Sequence, residues 1–234
     1  MKELALVMPV YNEEEIIENV IADWTKILES LNIDFEILAY NDGSKDKSLE
    51  ILKKIAEKKS RLVVIDKKNS GHGSTILQGY KDCAENYEWI FQTDSDNELG
   101  TDGFVELWKN RGDYDFLVGK RFFQTRDISR KIISNVAKII VKILCGKGVS
   151  DVNSPYRLMK TAVFKNLFSQ IENDTFSPNI IISGFVNKNN IKFFEIPVEW
   201  QNRSTGTVSI QKMKLFKSAV KAFFQTIKFC IKMK

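Results

Sequence analysis

The sequence has little of what builds metal knuckles or disulfide frameworks. It holds one histidine and three cysteines in 234 residues. Cys83, Cys145 and Cys230 lie far apart, and such spacing predicts neither a disulfide framework nor a cysteine-based metal site. We therefore expect the cysteines to be buried free thiols in a reducing, cytosolic compartment.

Long apolar runs are missing as well. The longest are broken by lysine or glutamine well before the roughly 20 residues that a membrane span needs. The N-terminal stretch ELALVMPVYNEEE has no basic n-region and no small-residue cleavage site, so we expect no secretory signal. The hydrophobic content of 43% is enough for one good core. Together these features favour one cytoplasmic domain, with at most a modest appendage.

Apolar runs alternate with helical periods along the first half of the chain. The segments LALVMPV, FEILAYND, RLVVIDK and EWIFQTD are typical of strands. The segments between them have helical spacing, and we expect Ser44 or Asp46 to cap the second helix. Because strand, helix and strand follow one another three times, the pattern predicts parallel pairing with right-handed crossovers. The expected fold class is an α/β sheet with helices on both faces.

Polar segments follow each of the four predicted strands. They are PVYNEE (9–14), NDGSKD (41–46), KNSGHG (68–73) and TDSDNE (93–98). Ligands of such sheets bind beyond the carboxyl ends of the strands. We therefore expect the four segments to meet at one edge of the sheet.

Two common nucleotide motifs are absent. Gly71 and Gly73 are followed by Ile76 where a dinucleotide fingerprint has its third glycine, and no P-loop pattern occurs. What remains is a glycine-containing turn that opens a helix and offers backbone N–H groups to an anion. Alone, this signal is weak. We expect His72, within the turn, to be an ordinary loop residue.

Asp94 and Asp96 lie one residue apart at the end of the fourth predicted strand. Two carboxylates so close raise each other's ionisation cost unless a cation or a set of donors compensates. A hard divalent cation is one partner that fits. A solvated turn or a helix N-cap is the simpler alternative, and the pair alone does not decide between them.

The ordered set of motifs resembles the inverting family-2 glycosyltransferases. It consists of VMPVYNEEEII, YNDGSKDKS, NSGHGSTILQGY, QTDSDNE, LVGKRFFQTRDISRKIIS, DVNSPYRLMK and EIPVEWQNRSTGTVS. Within that family the chain is most similar to polyprenyl-phosphate sugar transferases of the dolichyl-phosphate mannose synthase type.

The resemblance implies a GT-A fold, with a single Rossmann-like, mostly parallel sheet and a C-terminal amphipathic helix. It implies a glycosyltransferase domain at 1–210, divided into a nucleotide-sugar-binding half (1–120) and an acceptor half (121–210). A basic amphipathic helix at 211–234 follows it.

The resemblance also assigns roles at the donor site. Asp94 and Asp96 match the D-x-D element that binds Mn²⁺ or Mg²⁺, with Asp96 as the direct ligand and Asp94 on the ribose or the metal. The residues implied in nucleotide binding are Pro9, Tyr11, Asn12, Glu13, Asp42 and Asp94. We place the base contact on Asp42, because the neighbouring Asn41 lacks a carboxylate. Glu98 departs from the family, which often has Gln there, and its role stays open.

Arginines that follow the sheet half are implied in phosphate binding, since a guanidinium can grip phosphate with two parallel donors. By resemblance, Arg121, Arg130 and Arg203 hold the donor diphosphate and the acceptor phosphate, and we count them with Asp94 and Asp96 as catalytic. Arg157 is a further acceptor-phosphate candidate, or else a structural residue.

Two basic amphipathic segments are relevant to whether the acceptor is a membrane lipid. KIISNVAKIIVKILCG and KSAVKAFFQTIKFCIKMK each set lysines against an apolar stripe. Such helices can lie in a membrane interface or pack on the core. For the first segment both interpretations stay open, whereas the second favours the interface.

The expected function is a metal-dependent inverting transfer of a hexosyl group from a UDP- or GDP-sugar to a polyprenyl phosphate. The expected location is peripheral, on the cytoplasmic face of the membrane, with or without a separate membrane-protein partner and without nucleic acid. Another glycosyltransferase reaction would use a glycan acceptor with Asp174 as base. A nucleotidyltransferase is disfavoured because no GxGTR-like loop follows the first strand. An inactive nucleotide-sugar or membrane-binding module is the last alternative.

Overall fold

A computed structural model of the chain describes residues 1–122, 128–200 and 212–232, and only the backbone of 128–134 and 212–219. The strands are β1 (Lys2–Val10), β2 (Phe35–Asp42), β3 (Leu62–Lys67), β4 (Tyr87–Gln92), β5 (Phe116–Phe122), β6 (Arg157–Lys160) and β7 (Phe193–Glu199). The helices are α1 (Ile17–Ser30), α2 (Ser48–Lys58), α3 (His72–Cys83), α4 (Asp102–Asn110), α5 (Ile128–Cys145), α6 (Thr161–Gln170), α7 (Pro178–Lys188) and α8 (Lys212–Lys232).

The strands form one sheet in the order β3-β2-β1-β4-β6-β5-β7. All neighbours are parallel except β6, which runs antiparallel to both β4 and β5. The predicted mostly parallel sheet is confirmed. Because the chain winds outward from β1 in one direction and then returns to place β4 on the other side, the strand order reverses at β1. Ligand crevices form at the carboxyl ends of strands around such a reversal.

The sheet is covered on both faces, as predicted. Along β1, Leu4, Leu6 and Met8 join the cluster that contains the apolar sides of α1 and α4, whereas Ala5 and Val7 join the cluster of α3, α6 and α7. Successive side chains of a strand point to opposite faces, and both faces here are dry. The loops at the carboxyl ends of the central strands are therefore attached to strands that are packed on both faces.

The cap predicted for α2 differs in detail. The helix begins at Ser48, later than either predicted cap. The Asp46 carboxylate still accepts the Ser48 N–H at 3.0 Å, but its other oxygen accepts the Glu14 N–H at 3.0 Å. Ser44 accepts the N–H of Asn12 at 3.1 Å instead of capping a helix. These side chains therefore join two neighbouring loops, which the local pattern could not show.

Helices α5 and α8 pack together beside the sheet. Ala222, Thr226 and Cys230 form the buried side of α8, and the Cys145 Sγ atom lies 2.9 Å from Cys230 Sγ. All three cysteines are free and buried, as predicted. In the described segments no helix is both long and apolar enough to cross a membrane.

Candidate active site

The loops after β1 and β2 are held together by reciprocal hydrogen bonds. Asn12 has a φ of +57°, a left-handed conformation that asparagine tolerates better than most residues. Its Oδ1 accepts the Lys45 N–H at 2.7 Å, and Ser48 Oγ accepts the Glu13 N–H at 2.8 Å. Glu13 is buried, whereas Asn12 is exposed and Tyr11 is partly exposed. Tyr11, Asn12 and Glu13, which are predicted to bind the nucleotide, therefore lie in a loop that is hydrogen-bonded to the loop after β2.

Asp42 ties the loop after β3 to the same edge. Its Oδ1 lies 2.5 Å from Lys67 Nζ and accepts the Ser70 N–H at 2.8 Å, while Oδ2 accepts the Gly71 N–H at 2.9 Å. Burial raises the pKa of the Asp42 carboxyl, but the bonds from Lys67 and Ser70 outweigh it and hold the pKa below its usual value. Gly71 has a φ of +89°, so glycine suits this turn. The carboxylate is ionised, and both of its oxygens accept hydrogen bonds from the protein.

These hydrogen bonds limit the base contact that is predicted for Asp42. The side chain is only 4% exposed, so a base N–H would have to share or replace a protein donor there. Asn41 points to the opposite face of β2, where its Nδ2 donates to Asp66 at 2.8 Å. Its buried Oδ1 makes no hydrogen bond to any described residue. The sequence drew attention to Asp42 and missed Lys67, its cross-strand partner in the parallel register.

Replacing Asp42 with asparagine is expected to weaken binding of the nucleoside diphosphate by about tenfold or more. A hydrogen bond to a charged group contributes roughly 1.5–3 kcal/mol. Calorimetric titration with UDP and with GDP measures the change.

Lys67→Met is the matched control for this prediction, since it removes the lysine that ties Asp42 to Ser70 and leaves the Asp42 carboxylate itself in place. A direct base contact predicts a larger loss for Asp42→Asn than for Lys67→Met. Titrations of Asp42→Asn that match wild type for both nucleotides would exclude Asp42 as a nucleotide-binding residue.

Asp94 connects the loop after β4 to the start of α3. Its Oδ1 lies 3.6 Å from His72 Nε2 and accepts from Gln92 Nε2 at 3.1 Å. The amino end of α3 is therefore close to the carboxylate, where the helix dipole favours negative charge. The expectation that His72 is an ordinary loop residue overlooked this contact, because it depends on how α3 packs. All four polar segments now form one continuous edge, as predicted.

The donor atoms at this edge fit a divalent cation that is shared with a ligand. Asp94 and Asp96 are partly exposed, and Asp96 Oδ1 accepts the Glu98 N–H at 3.2 Å. Within the part of the chain that is described, no group of three or more His, Cys, Asp or Glu side chains could enclose a metal ion. Mg²⁺ is commonly held by one or two carboxylates together with phosphate oxygens and water. Two aspartates suit that shared arrangement better than a closed structural site.

Arg121 lies at the same edge but is held by a carboxylate. Its Nε and Nη2 donate to Asp151 at 2.8 and 2.9 Å. Burial disfavours both charges, yet the two-pronged bond outweighs it, so the pKa of Arg121 is raised and that of Asp151 is lowered. Asp94 and Glu98 also attract Arg121 electrostatically. The guanidinium is therefore a fixed positive charge near the paired acids, and Asp151 is the residue that fixes it.

The other predicted arginines have different outcomes. Arg157 is fully buried and donates to the main-chain carbonyls of Ser154, at 2.9 and 2.7 Å, and of Asn179, at 3.0 Å. Burial lowers its pKa to about 10, which leaves it charged at neutral pH. Its surroundings favour the structural alternative over the acceptor-phosphate role. Arg130 lies in α5 with its side chain outside the described residues, and Arg203 lies outside them altogether.

Asp174, the predicted base for a glycan acceptor, faces α8. Lys221 Nζ lies 2.9 Å from its Oδ2, and Gln225 Nε2 donates to its main-chain oxygen at 3.3 Å. The hydrogen bond from Lys221 lowers the pKa of the Asp174 carboxyl, and a carboxylate with a lowered pKa is a weaker base. The structure thus assigns Asp174 a part in docking α8.

Glu98 has a defined partner in the described residues. Its Oε2 accepts from Trp200 Nε1 at 2.7 Å, and Leu99 and Trp200 form an antiparallel bridge. Glu98 therefore links the loop after Asp96 to the end of β7. A glutamine at this position could also accept the indole N–H through its carbonyl oxygen.

Several curated relatives share one name. The chain is 26% identical over 218 residues to an undecaprenyl-phosphate 4-deoxy-4-formamido-L-arabinose transferase of Photorhabdus laumondii, and that match covers 92% of the chain and 65% of the relative. The enzyme of that name from Edwardsiella ictaluri is 27% identical over 216 residues, covering 91% and 64%. The chain thus spans slightly less than two thirds of the length of these relatives.

Solved structures share the fold. A glucosyl-3-phosphoglycerate synthase from Mycobacterium tuberculosis in complex with UDP superposes with a TM-score of 0.68 at 14% identity, covering 98% of this chain and 80% of that one. A mannosyltransferase from Pyrobaculum calidifontis in complex with GDP-Man and Mn²⁺ also gives a TM-score of 0.68, at 13% identity, covering 100% and 65%. This likeness confirms the GT-A fold that the sequence predicted.

A family model covers the sheet and the loops described above. The model of glycosyl transferase family 2 matches residues 5–168, from the first strand of the sheet to the sixth helix. Since the match extends over well more than half of the 234 residues, the chain belongs to glycosyl transferase family 2.

Proposed function

We propose that the protein transfers a sugar, with inversion, from a nucleoside-diphosphate sugar to a polyprenyl phosphate. The observation that carries the proposal is the position of Asp94 and Asp96 at the edge where four strand-end loops meet, with Arg121 held nearby. The name of the curated relatives, which are undecaprenyl-phosphate sugar transferases, supports a lipid phosphate as acceptor. UDP and GDP both remain candidate carriers of the sugar.

The paired aspartates would hold Mn²⁺ or Mg²⁺ against the donor diphosphate. When bound, such a cation neutralises the two carboxylates and the charge that develops on the departing nucleoside diphosphate. Asp96 and Asp94 supply oxygen ligands of the kind that these cations prefer. Arg121 adds a positive charge that Asp151 holds in place, so little reorganisation is needed during transfer.

A phosphate acceptor agrees with the lack of a suitably placed base at Asp174. The acceptor oxygen of a lipid phosphate is already an anion, whereas a sugar hydroxyl must lose a proton to a base. Asp174 pairs with Lys221 on α8. A glycan acceptor with Asp174 as base is therefore the weaker candidate.

The outer faces of α5 and α8 support a location at the membrane surface. Each helix turns its buried side to the protein, and the opposite side carries exposed apolar residues. On α5 these are Val136, Ile139 and Ile143, and on α8 they are Val220, Phe224 and Ile231. Exposed apolar helix faces flanked by lysines are typical of interfacial helices. We propose that this two-helix surface lies against the cytoplasmic face of the membrane.

A thermal-shift panel is expected to identify the donor. UDP, GDP and their sugar derivatives are compared with Mn²⁺, with Mg²⁺ and with a chelator. The correct donor with a cation should raise the melting temperature most, because a ligand at 100 times its Kd stabilises the folded state by about 2.7 kcal/mol. The shift should vanish with the chelator. A panel in which no nucleotide shifts the melting temperature of the protein would contradict the proposal.

A further inference from the structure

A buried polar network lies directly behind Asp94. Gln92 and Tyr80 are fully buried and Asn179 is 3% exposed. Asn179 Nδ2 donates to Gln92 Oε1 at 2.9 Å. The Tyr80 hydroxyl lies 2.9 Å from Asn179 Oδ1 and 3.1 Å from Gln92 Oε1. Burial raises the pKa of Tyr80, so the hydroxyl keeps its proton and acts as a donor. Polar groups this deep are stable only when they are paired.

The network fixes which way the Gln92 amide faces. Its Oε1 is occupied by Asn179 Nδ2, with the Tyr80 hydroxyl also close by. The Nε2 group must therefore point the other way, where it donates to Asp94 Oδ1 at 3.1 Å. A flipped amide would set its oxygen against the carboxylate and its NH₂ against the Asn179 donor. The buried neighbours thus impose a donor on Asp94.

The far end of the network is anchored in the sheet and in two helices. Arg157, on β6, donates to the Asn179 main-chain oxygen at 3.0 Å, and Asn179 lies in the first turn of α7. Tyr80 belongs to α3. Helix α3 lies close to the loop that leads into α7, since a Cβ atom at Gly73 would lie 2.0 Å from the Phe176 carbonyl oxygen. The orientation of Gln92 is therefore set by four packed elements, not by a mobile loop.

We propose that Gln92 is a positioning residue that holds Asp94 in the orientation needed to bind the nucleoside diphosphate and its cation. This inference rests on the proposed function. Asp94 follows the end of β4 and is partly exposed, so several side-chain rotamers would be open to it without a fixed donor. Gln92 favours one of them, because its Nε2 donates to Asp94 Oδ1 from a fixed position.

A double-mutant cycle between Gln92→Leu and Asp94→Ala tests the proposal. The readouts are the affinity for UDP and for GDP with Mn²⁺, by calorimetry, and the melting temperature without ligand. Gln92→Leu alone is expected to weaken binding about tenfold, the size of one hydrogen bond to a charged group. In the Asp94→Ala background the same change should leave the affinity unaltered, because Gln92 acts only through Asp94.

The control is Tyr40→Phe, which removes a different buried hydroxyl in the same core, one that donates to Asp82 at 3.1 Å. It should lower the melting temperature while leaving nucleotide affinity within about twofold of wild type, since it does not touch Asp94. If Gln92→Leu does not fold, Gln92→Met serves the same cycle, because methionine fills irregular core space.

The outcomes separate the two proposals. Equal affinities of wild type and Gln92→Leu, or an equal loss in both backgrounds, would overturn the positioning role and leave the proposed function standing. A wild-type protein that binds neither UDP nor GDP with Mn²⁺ would overturn both.

Discussion

Asp96→Ala is expected to abolish sugar transfer while the protein stays folded. The change removes a proposed cation ligand at a partly exposed loop position and no core volume. A bound cation contributes several kcal/mol to stabilising transition-state charge, so its loss should cost about a hundredfold or more in rate. The measurement is transfer of radiolabelled sugar to undecaprenyl phosphate with saturating Mn²⁺ or Mg²⁺, using the donor that the thermal-shift panel identifies.

A second carboxylate gives a matched control for this prediction. Asp113 is exposed, lies just before β5 and sits at the edge of the sheet opposite the candidate site. Asp113→Ala removes the same charge and should keep wild-type activity. The metal assignment fails if folded Asp96→Ala transfers sugar at the wild-type rate with either cation. Equal losses in both variants would indicate a general charge effect instead of a ligand.

The features that could be predicted from the sequence are those encoded locally. A strand that ends in polar residues places them at the carboxyl edge of a parallel sheet wherever the helices pack. Asn12, Asp42 and Asp94 were found in this way, and each contacts the loop after another strand or, for Asp94, the start of the helix that follows β3. The alternation along β1 likewise indicates a sheet buried on both faces. Such inferences need only the order of elements.

What the sequence did not reveal depends on register and packing. Lys67 pairs with Asp42 because β2 and β3 align those two positions, and nothing local to either residue fixes the alignment. In the sequence, Gln92 is one polar residue at the end of an apolar strand. The role of its amide depends on the hydrogen bond from Asn179, which lies 87 residues away. The lone histidine is similar, since its contact with Asp94 follows from where α3 begins. These residues join elements that are distant in the chain.

The amphipathic helices are a second case in which the sequence pattern alone could not predict the packing. Periodicity places apolar residues on one stripe but cannot tell a stripe that faces the core from one that faces outward. In α8 the small residues Ala222, Thr226 and Cys230 pack inward, whereas Phe224 is 63% exposed. Lys221 and Lys228, two lysines of the second basic segment, pair with Asp174 and Glu172. The apolar contribution to membrane binding should therefore exceed the electrostatic one.

Replacing the outward apolar residues of both helices is expected to release the protein from vesicles. Ile143, Phe224 and Ile231 are 75%, 63% and 65% exposed, so serine at these positions should leave the core intact. Transfer of one such side chain from water to an apolar environment is worth roughly 1.5–3 kcal/mol. The triple variant should bind at least about a hundredfold more weakly than wild type. Sedimentation with vesicles of phosphatidylcholine and phosphatidylglycerol measures the change.

Substitution is a cleaner test than removing the helix, because a chain cut after Met213 would also uncover the surface that Ala222 and Cys230 bury. Val63→Ser, at an exposed position of β3 away from the two helices, is the control and should sediment like wild type. High salt should reduce wild-type binding only in part, since two of the lysines are paired with acids and each free lysine near the surface adds about 1 kcal/mol. A triple variant that sediments as well as wild type would exclude the two-helix surface as the membrane contact. Complete release of the wild-type protein by salt would show that charge, and not the exposed isoleucines and phenylalanine, holds it there.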